Sequence, residues 1–144
     1  MDEFDQRIVG VLVENARISL KDLAQQVGLS SPSTAERLRR IEERGILKSF
    51  TIDVDPKALG YNFQVIVRIN PLPGALHLIE QAIKEIPEFV ECDKVTGEDC
   101  FIGRLWVRSI EQLDQVLDRI SDRAQTNTCI IKATPVKRRL PPLG

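Results

Sequence analysis

Ser19-Leu20-Lys21-Asp22-Leu23-Ala24-Gln25-Gln26-Val27-Gly28-Leu29-Ser30-Ser31-Pro32-Ser33-Thr34-Ala35-Glu36-Arg37-Leu38-Arg39-Arg40-Ile41-Glu42-Glu43-Arg44-Gly45 decides the fold of the N-terminal third. Ser19 offers a helix N-cap with Asp22 as an acidic first-turn partner, and Leu20, Leu23, Ala24 and Val27 recur on one helical face. Gly28 is a natural stop, because the left-handed conformation that closes a helix carries no steric cost for glycine. Only Gly28-Leu29-Ser30 separates this helix from the next. Ser31 reads as the N-cap and Pro32 as the first helical residue, where a missing N–H has no partner to lose. Ala35, Leu38 and Ile41 predict the inward face of the third helix, and Gly45 its end. Upstream, Phe4, Ile8, Val11 and Leu12 mark a first helix ending near Asn15. Three short helices with a tight turn between the second and third outline a helix-turn-helix.

Downstream, Ile46-Leu47-Lys48-Ser49-Phe50-Thr51-Ile52-Asp53-Val54 sets Phe50, Ile52 and Val54 at alternate positions. That predicts a strand suited to a wing or a dimer-forming arm. Asp55-Pro56-Lys57-Ala58-Leu59-Gly60 breaks the pattern and reads as a linker. Beyond it come strand, helix, strand, strand, helix, strand. Tyr61 to Ile69 alternates, Leu76, Ile79, Ile83 and Ile86 mark a helix closed by Pro87, and Phe89 to Val95 is a strand. A tight turn over Thr96-Gly97-Glu98-Asp99 leads to its hairpin mate, Cys100 to Val107. Ile110, Leu113, Leu117 and Ile120 mark the last helix, and Cys129 to Val136 the last strand. A βαββαβ order predicts a ferredoxin-like, four-stranded antiparallel sheet with both helices on one face, so the chain as a whole is α+β.

Composition narrows the function classes. In 144 residues, 42% hydrophobic and 28% charged content belongs to a globular chain rather than a disordered one. No apolar run approaches the roughly 20 residues that span a bilayer. Met1-Asp2-Glu3-Phe4-Asp5 is acidic where a signal peptide is basic and then apolar, so a cytoplasmic location with no membrane partner is expected. Cys92, Cys100 and Cys129 include no CxxC pair and read as small packed residues rather than metal ligands. With His77 the single histidine, no metal and no cofactor is expected. A net charge of −1 means that any basic footprint for nucleic acid is local.

That footprint lies on the third helix. With Ala35, Leu38 and Ile41 inward, Ser33, Glu36, Arg37, Arg40 and Arg44 fall on the opposite side. The start of the second helix of a helix-turn-helix faces base edges in the major groove of double-stranded DNA. Ser33 is small enough for close approach, Arg37 offers a fork for guanine or phosphate, and Arg40 and Arg44 suit the backbone. The alternative is a solvated charged face. On the C-terminal sheet, the face away from the helices would carry Ile66, Ile102 and Trp106 among Asn62, Gln64, Arg68, Arg104 and Arg108. Three large apolar groups there suggest a second copy of the chain as cover, against the alternative of scattered surface residues.

Asp5-Gln6-Arg7-Ile8, Leu23 to Ser30, Glu36 to Leu47, Val95-Thr96-Gly97 and Thr126-Asn127-Thr128, in this order and spacing, resemble the Lrp/AsnC family of feast/famine regulators along nearly the whole chain. The resemblance implies a winged helix-turn-helix over residues 1–50, a linker strand over 51–60, and a ligand-sensing and oligomerisation domain over 61–144. It implies homodimers, commonly assembled into octamers, whose DNA affinity answers to a small effector, often an amino acid, bound near the Gly97 turn. Ser31, Pro32, Ser33, Thr34 and Arg37 match family positions at the DNA-facing start of the third helix. Cys100 stands where an acid is frequent in the family; the acids here are Glu98 and Asp99. Read from the residues, Gly97 allows close backbone approach, Glu98 and Asp99 could receive an amino group, and Thr96, Thr126 and Thr128 could bond a carboxylate. An ordinary turn with solvated acids is the alternative.

Two other function classes share these elements. Sirohaem decarboxylases resemble the same two-domain family, but that chemistry calls for histidines and a basic pocket, and this chain offers His77 alone. No nucleophile–base pair and no phosphate-cradling glycine loop is visible, so the expectation is a regulator rather than an enzyme. An interaction module with a vestigial helix-turn-helix is the second alternative.

Overall fold

Every helix of the N-terminal unit starts on a side chain that accepts one of its free N–H groups. The computed structural model describes all 144 residues, which divide into two units: Met1–Asp53 with Arg138–Gly144, and Val54–Lys137. Arg138–Gly144 group with the helix-turn-helix, where Gly144 lies against the Gln6 side chain.

Helix α1 (Glu3–Glu14) opens on a reciprocal cap, in which the Asp2 carboxylate accepts the Asp5 N–H at 2.9 Å and Asp5 accepts the Asp2 N–H at 3.3 Å. Helix α2 (Leu20–Val27) is capped by the Ser19 hydroxyl, which accepts the Asp22 N–H at 3.1 Å, and it ends at Gly28 with φ 77°. Helix α3 (Ser31–Glu43) is capped by Ser30, not by Ser31: the Ser30 hydroxyl accepts the Ser33 N–H at 3.3 Å. Proline fits anywhere in a first turn whose N–H groups lack intrahelical partners, so Pro32 located the turn but not the cap. Ile8, Leu12, Leu23, Val27 and Ile41 close the core of this unit, with Leu38 and Leu47 against it.

Residues 46–54 form no strand, contrary to the expected wing. Alternation marks a side chain that would suit a ladder, but a strand exists only where another strand accepts its hydrogen bonds. Phe50 at 51% and Ile52 at 82% exposure show how little of this segment the chain itself covers.

The second unit follows a short 3-10 turn (Pro56–Leu59) with β1 (Phe63–Pro71), α4 (Leu76–Glu85), β2 (Phe89–Lys94), β3 (Phe101–Val107), α5 (Ile110–Asp118) and β4 (Ala124–Ile130). The sheet order is β2-β3-β1-β4, all neighbours antiparallel. Val65, Val67, Ile69, Phe101, Leu105 and Val107 point to one face and are buried with Ile79, Ile83, Ile86, Leu113, Val116 and Ile120. Gly103 belongs to that face because the ring of Phe89 occupies the space a Cβ would need, 2.6 Å from the ring edge. The last strand begins five residues before the expected Cys129 and stops at Ile130. As an edge strand it is only half enclosed, so Gln125-Thr126-Asn127-Thr128 needs no apolar alternation, and the Ile130-Ile131 pair looked more strand-like than its true start.

Candidate nucleic-acid interface

Thr34 fixes which way α3 faces. It is the one polar residue buried in the chain, at 0% exposure, and its hydroxyl donates to the Ser30 carbonyl at 2.9 Å. The inward stripe is therefore Thr34, Leu38 and Ile41 (i, i+4, i+7), with Ala35 half-buried on the flank. Relative to the expected Ala35-Leu38-Ile41 face, the helix is turned by roughly 30°, at about 100° per residue. Thr34 leaves the set of groups able to meet DNA.

The rotation brings Pro32, Glu36, Arg39, Arg40 and Glu43 to the outward side. Arg39 donates to Glu36 at 2.7 Å and also to Glu43; Arg40 donates to Glu36 at 3.1 Å. All these partners are one turn apart on the same helix. Hydrogen bonds from Arg39, and then from Arg40, hold the Glu36 carboxyl down at about 2. Glu36 and Glu43 in turn raise the Arg39 guanidinium above its ordinary value. Arg40 at 63% and Arg39 at 54% side-chain exposure stand in solvent. Ser31 and Ser33 are half-buried, Pro32 is exposed, and Arg44 is exposed at the C-cap.

Arg37 is not the free fork that the sequence suggested. Its side chain is 26% exposed, and its guanidinium donates to Asp2 at 2.6 Å and Asp5 at 3.0 Å and lies 5.2 Å from the centre of the Phe4 ring. Asp2 and Asp5 raise the Arg37 pKa, while the Asp5 N–H and then Arg37 lower that of Asp2. Asp2, Asp5 and Arg39 were all missed from the sequence. Arg39 was recoverable, since i, i+4, i+7 is the better helical stripe; the two aspartates, more than thirty residues from Arg37, carried no signal.

On the second unit, Ile66, Ile102 and Trp106 share the helix-free face, Ile102 at 38% exposure and the other two half-buried. Trp106 lines a cavity of about 340 Å³ with Val54, Pro56, Leu59, Tyr61 and Val90. Arg108 packs 4.3 Å above Tyr61 and donates to the Leu59 carbonyl at 3.0 Å. The turn over Thr96–Asp99 is closed by the Val95 N–H donating to the Cys100 carbonyl at 2.9 Å, with Gly97 at φ 111°. Thr126 pairs with Ile69, which pairs with Phe101, so Thr126 shares that end of the sheet. Two strand spacings, about 9–10 Å, still separate them. Thr128 lies one row further in, opposite Val67. Within one chain these groups share an end of the sheet without forming a single pocket. Cys92 and Cys100 are half-buried, with burial pushing the Cys92 thiol up, whereas Cys129, expected to pack, is exposed on the edge strand.

A capped helix-turn-helix joined to a βαββαβ unit defines a class of two-domain proteins, a helix-turn-helix carried on a ferredoxin-like sheet. Residues 1–42 match the AsnC-type helix-turn-helix domain and residues 64–141 the Lrp/AsnC ligand binding domain. The HTH-type transcriptional regulator LrpC of Bacillus subtilis is 30% identical over 131 residues, 91% of each chain. The solved structure of B. subtilis LrpC superposes with a TM-score of 0.89 at 28% identity, covering 96% of this chain and 99% of that one. A feast or famine regulatory protein from Mycobacterium tuberculosis, solved in complex with L-methionine, gives a TM-score of 0.84 at 29% identity, covering 96% and 97% of the two chains. The chain belongs to the Lrp/AsnC family.

Proposed function

We propose that this protein works in the cytoplasm as a homodimer, assembled further into an octamer, reading double-stranded DNA with α3 and answering to an amino acid bound near the Gly97 turn. The observation that carries the DNA reading is the outward face of α3. It presents the exposed, adjacent Arg39 and Arg40, with exposed Arg44 one turn beyond Arg40, after a three-residue turn between two capped helices. Ser31, Pro32, Ser33, Arg40 and Arg44 supply the approach surface, small groups at the helix start and cations further along. The alternation of Phe50, Ile52 and Val54, exposed in the single chain, suits an arm that pairs with the same arm of a second copy. Ile66, Ile102 and Trp106 suit a second contact of that kind. No helix is long and apolar enough to cross a membrane. The relatives are named as transcriptional regulators, which supports regulation without catalysis.

The effector reading draws on the regulator solved with L-methionine and on the local chemistry: a positive-φ glycine flanked by Thr96, Glu98 and Asp99. Thr126 and Thr128 belong to the same pocket only if a neighbouring subunit completes it. A ligand of this kind acts by binding one quaternary state better than another, and a coupling of roughly 1–3 kcal/mol changes DNA affinity about five- to 150-fold. Selection of DNA from a random pool, followed by binding titrations with each amino acid, tests the whole proposal. Enrichment of one motif, with affinity moved by an amino acid and that response abolished in Gly97→Val, is the expected result. No enrichment rejects the DNA reading; a response untouched in Gly97→Val rejects the site.

A further inference from the structure

The arginines of α3 fall into two kinds. Arg39 and Arg40 bond only to Glu36 and Glu43 of their own helix, in exposed pairs. Arg37 instead reaches 32 and 35 residues back along the chain to Asp5 and Asp2. Asp2 holds Arg37 with Oδ2 and caps α1 with Oδ1, so a single carboxylate serves both helices. Phe4, from the same first turn, supplies a ring face to the guanidinium. One side chain thus ties the start of α1 to the middle of α3.

The energetics of DNA contact differ accordingly. For Arg37 to reach a base it must break two charge-assisted hydrogen bonds and leave Asp5, only 14% exposed, without its cation beside a polyanion. Arg39 and Arg40 give up exposed intrahelical pairs of little net worth, and a guanine edge or a phosphate offers the same bidentate geometry in return. We propose that Arg37 is a positioning residue that locks α3 against α1 through Asp2 and Asp5, and that base reading passes to Arg39 and Arg40. This rests on the DNA-binding reading above and assigns roles within it.

The test is sequence preference, which a merely structural residue does not move. Each full-length variant is put through selection from a random DNA pool and titrated on the enriched and a scrambled duplex. Arg37→Ala and the paired Asp2→Asn, Asp5→Asn change are each expected to lower affinity by about three- to tenfold with the same enriched motif, and to be non-additive when combined. Arg39→Ala or Arg40→Ala should blur the motif at specific positions and lower its preference over the scrambled duplex by about tenfold or more. Should Arg37→Ala not fold, Arg37→Lys and Asp5→Asn carry the same comparison. Loss of the motif in an Arg37 variant, with unchanged or tighter binding when the aspartates are neutralised, overturns the proposal, as does an unaltered motif in both Arg39→Ala and Arg40→Ala. A wild-type chain that enriches nothing rejects the DNA reading itself, and the division of roles with it.

Discussion

Thr34→Val isolates the hydroxyl buried beneath α3 and asks whether Thr34 serves the core or the DNA. The Thr34 hydroxyl donates to the Ser30 carbonyl at 2.9 Å, but that carbonyl also accepts the Thr34 N–H at 2.9 Å. Valine removes a donor without leaving an acceptor unpaired. The lost hydrogen bond is worth about 1 kcal/mol net. A methyl in its place returns most of that, at about 0.8 kcal/mol for a buried carbon. The balance lies within about 1 kcal/mol of zero, and because the two residues have similar helix propensity no further term intervenes. Thr34→Ala differs: it loses the bond and the methyl, and leaves a small void. Set against alanine's better propensity, the net loss is about 1–2 kcal/mol. At roughly 4–8 °C per kcal/mol for a domain of this size, alanine should lower the melting point of the N-terminal unit by about 4–16 °C and valine by no more than several degrees. Circular dichroism melts of both variants, with titrations on the selected duplex, make the assay. Near-native DNA affinity is expected for valine. A folded Thr34→Val protein with a tenfold loss of DNA affinity would refute the argument, because only a hydroxyl facing the duplex could cause it.

Three further outcomes follow from the same structure. Gly103→Ala places a Cβ 2.6 Å from Phe89, and the overpacking should destabilise the second unit by about 1–3 kcal/mol, read as a lower urea midpoint; Phe89→Leu in the same chain should recover part of it. Trp106→Glu puts an unpaired charge on the helix-free sheet face and should shift a folded protein toward monomer in light scattering; an unchanged mass rules that face out as the dimer contact. The Glu36 carboxyl sits at about 2 in the folded chain against an ordinary 4.5. Depressed in the folded state, it contributes stability that is present above about pH 4.5 and lost as pH falls through about 2. Wild type should therefore lose its advantage over Glu36→Gln between those values in urea titrations at stepped pH; a difference that stays constant with pH contradicts the Arg39–Glu36–Arg40 network.

The helices of the first unit, the βαββαβ order and the inward face of each central strand were legible in the chain because each rests on interactions within a few residues. Ser19 and Gly28 bound α2 by their own hydrogen bonds and backbone freedom, and Val65, Val67 and Ile69 alternate because a strand has two faces. Tertiary structure decided what local patterns leave degenerate. Ala35 and Thr34 offered two inward stripes whose centres differ by roughly 30° on one helix, and the choice fell to packing against α1 and α2, which drew Thr34 under cover and swung Arg39 outward. The same packing brought Asp2 and Asp5 to Arg37 across more than thirty residues, a pairing with no local trace because ion pairs obey distance in space and not spacing in sequence. Residues 46–54 carry the alternation of a strand and form none, since their own chain provides no neighbour. The edge strand β4, half open to water, could be built from Gln, Thr and Asn that no apolar pattern would betray.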